Sequence, residues 1–381
     1  MRVLHTIPGR NWGGMEQRVL DQMGWLLAHG HETWLAAPED GESYRRAFQS
    51  GLPVEGFDFD RPWSPRTLID LRRLIGRLKP DVVDAHVTRD VKALMGSLDM
   101  IALVRSRHIT QPLKGGPGRR IQWRMIPDHV IAVAGCVREM LLANGLAEPL
   151  RCSVVGEWAD DRFFASSGAS LRPELGISKD EIVIACVGMF RPDKGQDILL
   201  EAFARLVGQL PAARLLLIGG PTDESRSYAE GLQRLAIGIA DGRRVIFTGY
   251  RDDIPALLDA SDIVVVPSRL DAQSRIVPQA FARQKPVIAT STGGLPELIE
   301  DDVTGRLVPV EDANILAQAL LEIAVDDTRA TRLARRGYEL AKRFLRFDTK
   351  MEETLAAYDL AMARARKRPF LRTDLASCRM S

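Results

Sequence analysis

The chain has 381 residues, more than one compact domain usually holds and enough for two. With 45% hydrophobic and 27% charged residues it has the composition of a soluble globular protein. That excludes a disordered tail protein, a collagen-like repeat and a small stapled domain. Lys and Arg number 52 against 50 Asp and Glu, a formal charge of +2, so no global bias points to nucleic acid. Cys136, Cys152, Cys186 and Cys378 are far apart and form no CxxC pair, which argues against a disulfide framework or zinc site and for a reducing compartment. MRVLHTIPGR has no apolar stretch long enough for a signal peptide, and nowhere do 18 apolar residues run together. The expected location is the cytoplasm.

Short apolar runs alternate with amphipathic stretches along the chain. Val3–Ile7, Glu32–Ala37, Asp81–Ala85, Ile101–Arg105 and His129–Val133 read as buried strands. Between them Leu68, Leu71, Leu74, Ile75 and Leu78 recur at helical spacing, with Arg72, Arg73 and Arg77 on the other side. Such alternation implies a parallel sheet covered on both faces. SSGASLRPELGISKD, within residues 166–180, has the composition of a linker. A second set of strands follows: Ile182–Val187, Arg214–Ile218, Val245–Thr248, Ile263–Val266 and Val287–Ala289. Thr349–Lys367 reads as one long helix with Met351, Leu355, Tyr358 and Met362 on a face. The expected architecture is α/β: a Rossmann-like domain over 1–165, the linker 166–180, and a second such domain over 181–348. A helix over 349–368 would fold back on the first, ahead of a basic tail at 369–381. A cleft would separate the two sheets, since open sheets bind ligands outside the carboxyl ends of their strands.

Three loops at strand ends carry chemistry. In PGRNWGGMEQR, Gly13 and Gly14 leave bare backbone before a helix, where exposed N–H groups attract an anion; a turn that merely needs glycine is the other reading. In VGMFRPDKGQ, Arg191 and Lys194 stand on a loop after a strand and could straddle a diphosphate, at roughly 4 kcal/mol each at 4 Å before desolvation. In PSRLDAQSRIVPQAF, Asp271 lies in the loop while Ser274, Arg275 and Ile276 open a helix through Gln279; Gly293-Gly294 ends the following strand. A carboxylate, helix-start amides and a glycine pair would converge there.

Together these pieces resemble the family 4 glycosyltransferases, whose GT-B fold has two Rossmann-like domains. Val187 to Pro309 looks like their donor domain: PSRLD, then QAFARQKPVIAT, STGGLPELI and TGRLVP follow at the family's spacing. GGMEQRVLDQMGWLLAHGHE, DVVDAH and RSRHIT match the first half more loosely. The resemblance implies retaining transfer of a sugar from a nucleotide-diphosphate sugar, without a metal ion or other cofactor. It implies that Lys194 holds the diphosphate, Asp271 faces the donor sugar and Gln279 contacts the ribose. The amides of Ser274, Arg275 and Ile276 would lie over the phosphates, Gly13 or Gly14 would form the first domain's glycine loop, and His108 would stand near the reacting centre. Three departures mark this chain. Asp271 and Gln279 replace the usual pair of glutamates, Met189 stands where an arginine is common so that Arg191 would substitute, and Ser274-Arg275 replaces a glycine start. An epimerase of the same fold and a catalytically idle nucleotide-sugar-binding protein are the alternatives.

His86 and His108 both end strands, and an isolated strand-end histidine is more often structural. From Ile101 to Pro127 there are Arg105, Arg107, Lys114, Arg119, Arg120 and Arg124 and no Asp or Glu, with Trp123, Met125 and Ile126 interleaved. Each cation near an anionic leaflet is worth about 1 kcal/mol, so peripheral contact with a membrane is expected, with binding of an anionic acceptor as the other reading. RARKRPFLR near the C-terminus would add to it. The implied acceptor is a cell-envelope glycan or glycolipid, of lipopolysaccharide core or exopolysaccharide type.

Overall fold

The computed structural model describes residues 1–113, 116–165, 168, 171–239 and 243–367. The chain divides into two compact units: Met1–Val155 joined by the segment from Met351 onward, and Gly156–Lys350.

The first unit is built on a seven-stranded sheet. Its strands are β1 (Arg2–Thr6), β2 (Glu32–Ala37), β3 (Val54–Gly56), β4 (Val82–Ala85), β5 (Ala102–Arg107), β6 (His129–Ala132) and β7 (Cys152–Val154). Every pairing is parallel, in the order β3-β2-β1-β4-β5-β6-β7. Helices cover the sheet, so its inner strands are mostly buried, β4 and β6 along their whole length. The helix Pro65–Leu78 shows how locally its elements are specified. Ser64 caps it by accepting from the Thr67 N–H, Pro65 sits where its missing N–H costs nothing, and Leu71, Leu74, Ile75 and Leu78 turn to the core. The C-terminal helix Phe347–Ala365 buries Met351, Thr354, Ala357, Tyr358 and Ala361.

The second unit has six parallel strands in the order β10-β9-β8-β11-β12-β13. They are β8 (Ile182–Val187), β9 (Ala213–Ile218), β10 (Val245–Gly249), β11 (Ile263–Val266), β12 (Val287–Thr290) and β13 (Arg306–Val308). Alternate residues feed two cores. Ile184, Cys186, Leu215, Leu217, Ile263 and Val265 pack under the helices Gln196–Leu206 and Ala313–Val325. Val264, Val266, Val287 and Ala289 pack under the helix Ile276–Ala282. In both units the strand order reverses beside the first strand, between β1 and β4 and between β8 and β11. That is the doubly wound pattern, and the crevice at the reversal point is where such sheets take ligands.

The boundaries differ from those expected. Residues 156–165 belong to the second unit, because Ala159 and Phe163 pack with Val264, Val277 and Phe281. Leu171, Leu175 and Ile177 pack against the Val183 and Leu216 face of the same sheet, so 171–180 is part of that unit and no linker. Ser166, Ser167, Ala169 and Ser170 lie outside the described residues, as do Lys114 and the whole of 368–381. The final helix runs Phe347–Ala365 and not Thr349–Lys367.

Candidate functional site

At the reversal point of the second unit, the loop after β8 meets the loop after β11. Their approach depends on Gly195, which has φ +66°; a Cβ there would stand 2.0 Å from the Pro267 carbonyl oxygen. Arg269, which the sequence did not single out, ties the two loops together. Its N–H donates to the Asp193 carbonyl at 2.8 Å and its Nη1 to the Pro192 carbonyl at 2.6 Å. The same guanidinium forks onto Asp197, with both distances 2.8 Å, and pairs with Glu311.

This framework brings Lys194 and Asp271 together. Lys194 Nζ donates to Asp271 Oδ2 at 2.7 Å, and Ser268 Oγ donates to the same oxygen at 3.1 Å. Asp271 is 7% exposed, so its charge is balanced by Lys194 within a largely dry loop. Its backbone is fixed from below. The Gly294 N–H donates to the Asp271 carbonyl at 3.1 Å, and a Cβ on Gly293, at φ +53°, would lie 1.7 Å from that carbonyl oxygen.

The other expected donor residues are less free than anticipated. Arg191 is forked onto Asp193 at 2.9 and 3.1 Å, which offsets the charge it was to offer a diphosphate. The helix Ile276–Ala282 opens as expected: the Val277 N–H turns back to the Ser274 carbonyl at 3.2 Å, and Gln279 is buried within the helix. Arg275 is partly buried and turned towards Glu157. Its Nε stands 3.6 Å from Glu157 Oε2, Glu157 is buried and the Arg275 side chain largely so, and its guanidinium lies 5.6 Å from the centre of the Trp158 ring. Two charges removed from water hold each other. Sequence gave no sign of a partner 118 residues upstream, or of the Glu157 N–H donating to Gln273 Oε1 at 2.7 Å.

In the first unit Gly13 is extended and precedes the helix Gly14–Ala28. The anion position at this start is already engaged by the chain itself, since the Glu16 carboxylate accepts the N–H groups of Gly13 and Glu16. Burial pushes the Glu16 carboxyl up nonetheless.

His108 is one end of a chain of three imidazoles. His108 Nε2 faces His86 Nδ1 at 3.0 Å, and His86 Nε2 faces His5 Nδ1 at 3.3 Å. Register explains the cluster, because His5 pairs with Asp84 across β1 and β4, and His86 lies two residues beyond on the same face. Asp84 accepts from Ser106 Oγ and from Tyr358 Oη, each at 2.8 Å. Burial pushes the Asp84 carboxyl up, against the pull of His5, Ser106, Tyr358 and Arg18. It holds His5 and His86 down at about 3 and His108 well below its usual value, so all three rings are neutral near pH 7. His5, Asp84 and His86 stand close enough to surround one cation. Their facing nitrogens already serve one another, and both Asp84 oxygens accept hydroxyl protons.

The basic stretch is not one surface patch. Arg105 is buried, its guanidinium 3.4 Å from the Trp123 ring centre and its Nη atoms donating to the Gln122 carbonyl and Thr88 Oγ1. Trp123 and Ile126 are core residues, and Arg124 pairs with Glu148 at 3.0 Å. Arg119, Arg120, Ile121 and Met125 remain outside.

Residues 181–326 match the family described as Glycosyl transferases group 1, and residues 12–156 match Glycosyltransferase Family 4. A D-inositol 3-phosphate glycosyltransferase of Mycobacteroides abscessus is 34% identical over 247 residues, covering 64% of this chain and 54% of the relative. One from Corynebacterium efficiens is 29% identical over 292 residues, 71% of this chain and 69% of the relative. The chain spans about half the length of the first such relatives, at 54%, 44% and 52%. HepE of Anabaena, solved in complex with UDP, shares the fold with a TM-score of 0.81 at 21% identity, covering 94% of this chain and all of that one. A glycosyltransferase from Rickettsia africae gives 0.83 at 17% identity, covering 95% and 98%. The fold is GT-B.

Proposed function

We propose that this chain, a member of the group 1 and family 4 glycosyltransferases, moves a sugar with retention from a nucleotide-diphosphate sugar to a hydroxyl acceptor. The observation that carries the reading is the Lys194–Asp271 contact of 2.7 Å at the reversal point of the second sheet. Breaking an anomeric bond builds positive charge on the sugar ring and negative charge on the departing diphosphate. A cation and a carboxylate in one loop junction answer both charges. On donor binding Lys194 would turn part of its charge to the phosphate, leaving Asp271 towards the sugar. Arg191, released from Asp193, and the amides at Ser274–Ile276 would share the phosphate load without a metal ion. Gln279 would accept a ribose hydroxyl, with less strength than a carboxylate offers. Retention follows from the family resemblance, with the leaving phosphate taking the acceptor proton.

UDP sugars are the first donors to test, since the Anabaena neighbour was solved with UDP. For the acceptor, an envelope glycan or glycolipid stands beside an inositol phosphate, after which the curated relatives are named. Peripheral membrane contact narrows to Arg119, Arg120, Ile121 and Met125, and sedimentation with anionic vesicles tests it. Donor turnover with each acceptor class, with and without EDTA, tests the reaction. Sugar transfer supports the transferase, acceptor-free conversion of the donor supports the epimerase, and nucleotide binding without turnover supports the idle binder.

A further inference from the structure

The imidazole chain has a property that its separate members lack. Each of its two contacts needs one N–H and one lone pair, and each neutral ring has one of each. A choice at one contact therefore fixes the other. Either all three protons sit on Nε2, leaving His108 Nδ1 as an acceptor, or all three sit on Nδ1, making His108 Nδ1 a donor. The two ends, His5 Nε2 and His108 Nδ1, are buried and have no partner among the described residues.

We propose that the chain is locked with its protons on Nδ1, so that Asp84 and Tyr358 act as positioning residues that fix, through His86, the N–H which His108 Nδ1 offers a ligand oxygen. The bias comes from Asp84, whose Oδ1 lies 4.0 Å from His86 Nδ1. A carboxylate on that side favours the N–H there and the lone pair on the opposite nitrogen. Ser106 and Tyr358 hold the carboxylate in place by donating to both oxygens, and Tyr358 comes from the C-terminal helix, 274 residues away. Arg18, buried on the helix Gly14–Ala28, adds positive charge that opposes the upward push of burial on Asp84 and disfavours protonation of the rings. Two further charged groups adjoin the chain: Arg107, which adds positive charge beside His108, and Asp90, which is occupied by Thr6 Oγ1 and the N–H groups of His86, Val87 and Val91.

Free histidine in water prefers its proton on Nε2, so three adjacent rings in the other form give a distinctive signature. The test is long-range proton–nitrogen correlation on the full chain labelled with 15N-histidine, six residues in all. The expected result at pH 7.5 is an Nδ1–H proton on His5, His86 and His108. A proton on Nε2 of His108 overturns the proposal. Tyr358→Phe should move His108 to a mixture of both forms; a folded variant with the wild-type tautomer overturns the part played by Tyr358. A second arm rests on the transferase reading. His86→Gln should lower kcat about tenfold or more while the donor KM stays within about twofold. Equal loss in both, or no loss, overturns the link to the reaction. Absence of any transfer by the wild type counts against the transferase reading alone, because the tautomers are read without substrate.

Discussion

Asp271 has its carbonyl held by the close approach of Gly293, its carboxylate held by Lys194 and Ser268, and its loop held at Pro267 by the close approach of Gly195. Gly195→Ala and Gly293→Ala would each force a methyl group to about 2 Å or less from a carbonyl oxygen. Each should cost about 2–4 kcal/mol, a fall of roughly 5–15 °C in melting temperature, because the conflict is with backbone and no side chain can yield. Differential scanning calorimetry measures it. Asp271→Asn keeps the volume and removes the charge, so nucleotide affinity should stay within about threefold while turnover falls about a hundredfold or more. That Lys194 and Asp271 stand in strand-end loops was legible from the alternation of strands and loops; that they pair with each other was not, because it depends on which strands are neighbours. The place of the Arg275 side chain was not legible either. Its partner Glu157 sits far upstream in sequence, and only the fold brings them together. Arg269 carried no signal beyond its charge, yet it ties four segments of the loop junction.

Strands and helices were more legible than their edges. Every strand of four or more residues was found to within two residues at each end, because apolar runs between turn residues have few other uses. The short edge strands β3 and β7 escaped: three residues give too little periodicity to read. The basic segment was misread because charge alone does not tell a surface arginine from one stacked on Trp123 in the interior. The C-terminal helix was expected, but its buried face runs through Met351, Thr354, Tyr358 and Ala361 rather than through Leu355 and Met362. Tyr358→Phe removes a donor from buried Asp84 and should destabilise by about 1–3 kcal/mol, with Asp84→Asn in the same background recovering part of the loss. Denaturant titration of the two variants checks this.

Over the whole molecule, two doubly wound units were legible, and the point of division was not. Trp158 and Phe347 show why: they stack at 4.7 Å within the second unit, though one precedes the expected linker. The titratable groups of the first unit make its stability depend on pH. His5, His86 and His129 are held at about 3, 3 and 4, and His108 well below its usual value, by burial above all. Their folded values lie below the unfolded 6.5, so their stabilising effect is complete above pH 6.5 and is lost progressively as pH falls from there towards 3. Asp84 and Asp90 oppose this, because burial raises both, Asp90 to about 6. Four histidines that take up protons on unfolding outnumber the two carboxyls that release them, so stability should fall as pH is lowered through 5. Melting temperatures that stay flat between pH 6.5 and 4.5 would contradict it.

The most direct test of the central claim is calorimetric titration of the wild type, Lys194→Ala and Asp271→Asn with UDP, GDP, ADP, CMP and dTDP, in EDTA. The account predicts that a nucleoside diphosphate binds the wild type, that Lys194→Ala weakens it about tenfold or more, and that Asp271→Asn leaves it nearly unchanged. Failure of every nucleotide to bind, or binding indifferent to Lys194, would contradict it.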